Sequence, residues 1–497
     1  MAETIKMLIN GEWVESSSGE YFDSINPATG EVVARVPRAT REDADRAVRA
    51  AYEAQKKWRR VPAPHRAEVL FRVARILEQR KEELARKLTQ EMGKVIAEAR
   101  GDLQEAIDMS YFAAGEGRRM HGMTAPVEMP NKFTMSVRDP VGVVATITPW
   151  NFPTAIPSWK MMPALVAGNA VVFKPASDTP LLAYELVRAL NDAGAPPGVV
   201  NIIYGSGSVV GDALLEHPLV NLVTFTGSSE VGRHVAEVAG RHLKRVSLEL
   251  GGKNAITIMD DADLDLAVEG VLWSAFGTTG QRCTACSRVI VHEKVKKAFL
   301  DRLIPRVEAL RLGNGLDPNT DVGPLVNASQ RKTVDEYVQI GIKEGAKLLT
   351  GGHPVTDGEL ARGFFYAPTV FETTPNMRIA QEEIFGPVLS VITVKDLDEA
   401  IEVNNGVAYG LSSSIYTQDI NKAFKAMRDL TTGIVYVNAG TIGAEIHMPF
   451  GGTRNTGNGH REAGHTLLDN VTEWKTIYVD FSGRLQKAQI DNPVSTL

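Results

Sequence analysis

Both cysteines of the chain fall within seven residues, Gly280-Gln281-Arg282-Cys283-Thr284-Ala285-Cys286. A thiolate is a strong nucleophile near neutral pH, and one sulfur suffices for covalent catalysis. Cys-x-x-Cys also fits a redox dithiol, half of a zinc site, or two small buried apolar groups. The stretch alone leaves all of these open.

Other residues could serve such a nucleophile. Glu249 stands between two leucines in Leu248-Glu249-Leu250-Gly251-Gly252-Lys253-Asn254. A carboxylate in apolar surroundings has a raised pKa, which suits a general base; an edge residue facing water is the alternative. Asn151, in Pro149-Trp150-Asn151-Phe152-Pro153, could donate to an oxyanion or simply shape a turn. Lys174 ends an apolar run ahead of Pro175, where a cation would point into a ligand crevice or snorkel to solvent. Phe225-Thr226-Gly227-Ser228, leading through Gly232, could present donors to a pyrophosphate at a helix start. Arg233 and His234 stand where a Walker A loop needs Lys-Ser/Thr, and Gly205–Gly211 misses G-x-G-x-x-G by one residue. In Glu382-Glu383-Ile384-Phe385-Gly386-Pro387, a carboxylate and an aromatic could meet ribose hydroxyls and a flat ring. The ten histidines are scattered, with no H-E-x-x-H and no G-x-S-x-G elbow, so no metal site is expected.

The elements that must hold these residues read as two α/β series. Helices are expected over about 40–58, 64–90 and 96–116, the first opened by a capping-box-like Thr40–Asp43 pair. Residues 125–140 are Pro-broken and polar, an excursion from the domain that continues at 141. Strand-like runs at 141–147, 170–174, 199–203, 221–226 and 246–250 alternate with helical patterns near 180–193, 208–216 and 230–242. Largely apolar strands between helices predict a doubly wound parallel sheet, with ligands beyond the carboxyl ends of its strands. A second series comprises strands at 255–259, 287–293, 388–394, 412–417 and 433–438, and helices near 263–276, 294–310 and 419–430. The tail 474–482 reads as one more strand. The expected fold is α/β, two doubly wound domains, one Rossmann-like, with a small β element.

At 497 residues the chain is long enough for two to four domains. A net charge of −6 without a long basic run gives no reason to expect nucleic acid. Two cysteines fit a reducing compartment, and no run of ~18 apolar residues predicts a membrane span. A cytoplasmic setting is expected.

Taken together, PWNFP (149–153), FKPA (173–176), FTGSSEVG (225–232), LELGGKN (248–254), GQRC (280–283), EEIFGP (382–387) and PFGG (449–452) resemble the aldehyde dehydrogenase superfamily, in family order and spacing. The resemblance implies NAD(P)-dependent oxidation of an aldehyde to the acid. Cys283 would be the nucleophile, Asn151 the oxyanion donor and Glu249 the base that activates water. Ile147, Pro149, Trp150, Lys174, Ser177, Gly227, Ser228, Gly232, Leu250, Glu383 and Phe385 would contact the cofactor. It further implies a cofactor domain over 1–121 and 141–252 and a catalytic domain over 253–455. An oligomerisation element over 122–140 and 474–497 would make a dimer or tetramer.

Two positions bear on specificity. Many NAD-preferring relatives carry Glu where this chain has Ser177; an acid there would repel a 2′-phosphate, so NADP is expected to be accepted, alone or beside NAD. The GQRC stretch is similar to that of members that oxidise carboxylate-bearing semialdehydes, whose carboxylate Arg282 could grip; KPASDTP and GQRCTACSR resemble pyrroline-5-carboxylate dehydrogenases, whereas GTRNTGNGHREAG is closer to members acting on α-ketoglutarate semialdehyde. A broad-specificity dehydrogenase of neutral or aromatic aldehydes is the alternative. A coenzyme-A-acylating member is disfavoured by Glu249, and a crystallin-like binding protein by the intact Cys283, Glu249 and Asn151.

Overall fold

The computed structural model describes residues 3–490. Two seven-stranded sheets organise it. In the first, Arg245–Glu249, Leu222–Thr226, Val143–Ile147, Ala170–Lys174 and Val200–Ile202 run parallel in that spatial order, and Met7–Ile9 and Glu12–Val14 extend it antiparallel. The central three strands are buried at every position, which explains their continuous apolar composition. The chain leaves Val143–Ile147 to one side for two strands and returns to its other side at Leu222–Thr226. A crevice opens at such a reversal, so Ile147, Lys174 and Thr226 all end at one place.

The second sheet runs Lys347–Thr350, Thr369–Glu372, Val388–Val394, Cys286–His292, Asn254–Ile258, Ser412–Tyr416, Ile434–Val437, parallel except for its first strand. The sheets meet end to end in sequence: Glu249 closes the last strand of one and Asn254 opens the first strand of the other. The carboxyl ends of the first sheet carry site residues, and Cys283 stands just before the amino end of the strand Cys286–His292 in the second.

The helices Arg41–Trp58, Ala63–Met92 and Ile96–Glu116 form where periodicity places them. Thr40 accepts from the Asp43 N–H at 3.2 Å and Asp43 accepts from the Thr40 N–H at 3.0 Å, a reciprocal capping box. The helix Ala155–Ala167 is not foreshadowed by the sequence pattern. It carries Pro157 and Pro163 and is buried on every side, so no polar stripe betrays its period. Ala328–Lys343 and Leu397–Asn405 are likewise additional helices, and Thr369–Glu372 an additional strand. Residues 125–140, the Pro-broken excursion, contain the nine-residue strand Lys132–Pro140. It pairs antiparallel with Thr472–Asp480 through nine matched positions. Residues 491–497 of the expected oligomerisation element lie outside the described residues. Phe450, with Ala463, Leu467, Leu468 and Val471, packs into the core around the first sheet.

Candidate active site

Cys283 sits on a turn whose backbone is held from several directions. Its carbonyl accepts from Asn254 Nδ2 at 2.7 Å, and Asn254 Oδ1 accepts from the Ser412 N–H at 3.0 Å. Gly252 is required here, because a Cβ would stand 2.5 Å from the Cys283 carbonyl oxygen. Ahead of the cysteine, Thr278 and Thr279 hold φ of 51° and 59°. Left-handed backbone is unusual for β-branched residues and costs about 1–3 kcal/mol each, a strain that collects at working sites. Cys283 is partly accessible. Burial, reinforced by the Glu249 and Glu383 carboxylates, pushes its pKa well above the ordinary thiol value.

Asn151 is buried and lines the same cavity of about 230 Å³. Its Nδ2 donates to the Gln281 carbonyl at 3.0 Å, which fixes the amide beside the nucleophile turn and leaves one N–H unused. Glu249 is 4% exposed and its Oε1 has no hydrogen-bond partner. Burial, then the Glu462 carboxylate, holds its carboxyl well above the usual carboxylate range. An unpartnered acid within electrostatic reach of Cys283 is free to accept a proton from water.

The cavity wall brings together Pro149, Trp150, Gly227, Ser228, Leu250, Glu383 and Phe385 with Cys283 and Asn151. Glu383 accepts from the Gly252 N–H at 2.9 Å, and burial raises its pKa to about 7. Phe385, at φ 58°, meets Trp150 edge-on with centroids 5.4 Å apart. Gln330 donates to the carbonyls of Ile384 and Phe385 at 3.0 and 2.9 Å and also lines the cavity. Sequence reasoning misses it, since nothing local marks it. It misses Thr226 too, although Thr226 ends a strand beside Gly227.

A second cavity of about 630 Å³ shares Pro149, Trp150, Thr226 and Gly227 with the first and is lined further by Ile147, Lys174 and His234. Two buried hydroxyls on its wall, Thr148 Oγ1 and Thr226 Oγ1, have no partner. The buried Lys174 ammonium has one acceptor, the Pro175 carbonyl at 3.0 Å, and burial lowers its pKa to about 8. The helix Ser229–Arg241 starts beside this wall, with Ser228 as its cap. Orphaned hydroxyls, a buried cation and a helix N-terminus fit a polyhydroxylated, anionic dinucleotide.

Three expected contacts stand elsewhere. Gly232 lines neither cavity; a Cβ there would lie 2.4 Å from Leu250 Cδ2, so its role is to let the helix close on Leu250. Ser177 is exposed and absent from both walls, on the turn just after Ala176, which lines the larger cavity. Arg282 is not a free guanidinium: its Nη2 donates to Glu98 at 3.2 Å and its Nε to the Thr278 hydroxyl at 2.9 Å. The rings of Phe152 and Trp273 flank it at 5.3 and 5.1 Å. Cys286 is fully packed, donates to the Arg288 carbonyl at 3.2 Å, and burial pushes its pKa up to about 12. Both cysteines are free thiols. Among the described residues no cluster of three or more His, Cys, Asp or Glu could hold a metal, and no helix is long and apolar enough to cross a membrane.

The profile of the aldehyde dehydrogenase family matches residues 13–477. The chain belongs to this family. It is 45% identical over 482 residues to the alpha-ketoglutarate semialdehyde dehydrogenase of Haloferax volcanii, covering 96% of this chain and 99% of that one. It is 42% identical to the alpha-ketoglutaric semialdehyde dehydrogenase of Bacillus subtilis, covering 95% and 97%. Among solved structures, betaine aldehyde dehydrogenase of Staphylococcus aureus in complex with NAD+ superposes with a TM-score of 0.95 at 36% identity, covering 97% and 96%. The two-sheet architecture is thus that of known aldehyde dehydrogenases.

Proposed function

We propose that this aldehyde dehydrogenase oxidises a carboxylate-bearing semialdehyde, of the α-ketoglutarate semialdehyde kind, to the acid with NAD or NADP. The observation that carries the reading is a thiol residue and a buried amide donor lining one cavity, beside a second suited to a dinucleotide, with the buried Glu249 within electrostatic reach of the thiol. The Cys283 sulfur adds to the aldehyde carbon as its proton passes to solvent water. The Asn151 N–H, with the Cys283 backbone N–H, stabilises the oxyanion of the thiohemiacetal. The nicotinamide, when bound, would supply the hydride acceptor, and Cys283 would then hold the acyl group as a thioester. Glu249 then takes a proton from water, whose oxygen displaces the sulfur. Lys174 and the helix start at Ser228 would hold ribose and pyrophosphate, Glu383 the second ribose, and Phe385 with Trp150 the ring's surroundings.

Relatives named for a semialdehyde support the substrate class. Arg282 keeps Nη1 outside its bonds to Glu98 and Thr278, and a substrate carboxylate would share the guanidinium on that side. Ser177, exposed and uncharged, sets no like charge against a 2′-phosphate. We further read the chain as a cytoplasmic homo-oligomer, dimer or tetramer. Trp474, Tyr478 and Phe481 stand exposed on and beside the strand Thr472–Asp480, with Phe133 on its neighbour.

Comparing kcat/KM for neutral, aromatic and ω-carboxylated aldehydes with each cofactor tests the reading. The ω-carboxylated aldehydes should lead, and NADP should be turned over. Equal or better turnover of neutral aldehydes would transfer the reading to a broad-specificity enzyme.

A further inference from the structure

The chemistry of Cys283, Asn151 and Glu249 gives no task to the acids on the inner face of the helix Ile96–Glu116. Glu98 and Asp102 lie four residues apart and so share that face, and both are buried. Each reaches a different half of the site. Glu98 accepts from the Thr278 N–H through both oxygens, at 2.8 and 3.0 Å, from the Thr278 hydroxyl at 3.2 Å, and from Arg282 Nη2 at 3.2 Å. A Cβ on Gly277 would stand 3.0 Å from Glu98 Oε1, so the carboxylate is seated against the turn itself. That turn holds the left-handed Thr278 and Thr279 and leads directly into Cys283. A β-branched residue keeps such a backbone only where its surroundings over-determine it, and Glu98 supplies charge-assisted bonds at the strained residue.

Asp102 does the same for the amide. Its Oδ1 accepts from the Thr154 hydroxyl at 2.5 Å and the Ala155 N–H at 2.7 Å, at the start of the helix just beyond Asn151. Its Oδ2 accepts from the buried Lys94 ammonium at 3.1 Å. That ammonium lies 3.7 Å from the centroid of Phe152, and the Arg282 guanidinium lies 5.3 Å from the same ring. Phe152 is the next residue after Asn151. The two acids, Lys94 and Arg282 thus form one buried bracket around both loops.

We propose that Glu98 and Asp102 are positioning residues that fix the Cys283 turn and the Asn151 loop to a single helix, setting the distance between nucleophile and oxyanion donor. The proposal rests on the roles proposed for Cys283 and Asn151 in catalysis. It separates the step that uses this distance, acylation with hydride transfer, from cofactor binding and from thioester hydrolysis.

The test is single-turnover NADH formation in the full-length enzyme, with KM for NAD and the thermal midpoint measured on the same samples. Glu98→Ala is expected to lower the single-turnover rate roughly 100-fold, the cost of about 1 Å of misplacement, with KM for NAD unchanged. Glu98→Gln keeps an acceptor for the Thr278 N–H and should recover most of that loss. Asp102→Asn should slow the same step. Arg100→Gln, on the exposed side of the helix where it pairs with Glu82, should match the parent enzyme. If Glu98→Ala does not fold, Asp102→Asn decides by the same rate. A parent-like rate in Glu98→Ala or Asp102→Asn, or a loss that tracks weaker NAD binding and a lower thermal midpoint, would overturn the proposal. Failure of the underlying roles would show separately, as activity retained in Cys283→Ser.

Discussion

Replacing Glu249 by Gln should split the reaction in two. The substitution keeps size and shape while removing the proton acceptor. Glu249 Oε1 has no partner, so no hydrogen bond on that oxygen is lost. General-base removal costs roughly 10²–10⁴ in rate, about 2.7–5.5 kcal/mol at 1.36 kcal/mol per decade. That loss belongs to thioester hydrolysis alone. Formation of the thioester should persist, and should even ease, because an ionised Glu249 holds the Cys283 thiol pKa up and Gln does not. Stopped-flow NADH fluorescence reads both steps: a burst approaching one NADH per active site, then a steady rate lowered by that factor. The sign with pH comes from burial. Glu249 titrates well above the usual carboxylate range, protonated and inactive as a base below its pKa and ionised above it. The parent's steady rate should therefore climb through that raised pKa, and the Gln variant should lose the climb. Equal loss of burst and steady rate, or no loss at all, would refute the reasoning.

Asn151→Ala should lower the burst rate by roughly 10²–10³, the usual loss for one oxyanion donor, with KM for NAD intact; stopped-flow reads it. Cys286→Ser should leave kcat/KM within about twofold and lower the thermal midpoint, since a buried sulfur at the start of the strand Cys286–His292 has a packing role. The Lys174 ammonium titrates at about 8. It is protonated below that pH, so KM for NADP should rise as pH climbs through it, and Lys174→Met should flatten the profile while raising KM throughout.

The parallel strands are readable in the sequence because burial on both faces leaves no polar position to interrupt them, as at Ala170–Lys174. Glu249, Asn151 and Cys283 are visible through local context, each an odd residue type beside glycines or prolines. What escapes is set by distant partners. Lys132–Pro140 looks irregular until it pairs with a strand more than 330 residues later. Arg282 reads as a free cation because its acid, Glu98, lies 184 positions earlier. Gln330 sits on a helix whose pattern is not recognisable locally, and only the fold carries it to Phe385. Ala155–Ala167, enclosed on all sides, shows no helical period at all.

The central claim is that Cys283 carries the substrate. Trypsin cuts after Arg282 and Arg288, releasing a six-residue peptide that contains both cysteines. Acid-quenching Glu249→Gln during turnover of a semialdehyde with NAD, then fragmenting that peptide by mass spectrometry, locates the acyl group. The account predicts an adduct of acyl mass on the first cysteine, Cys283. An unmodified peptide, or an adduct on Cys286, would contradict it.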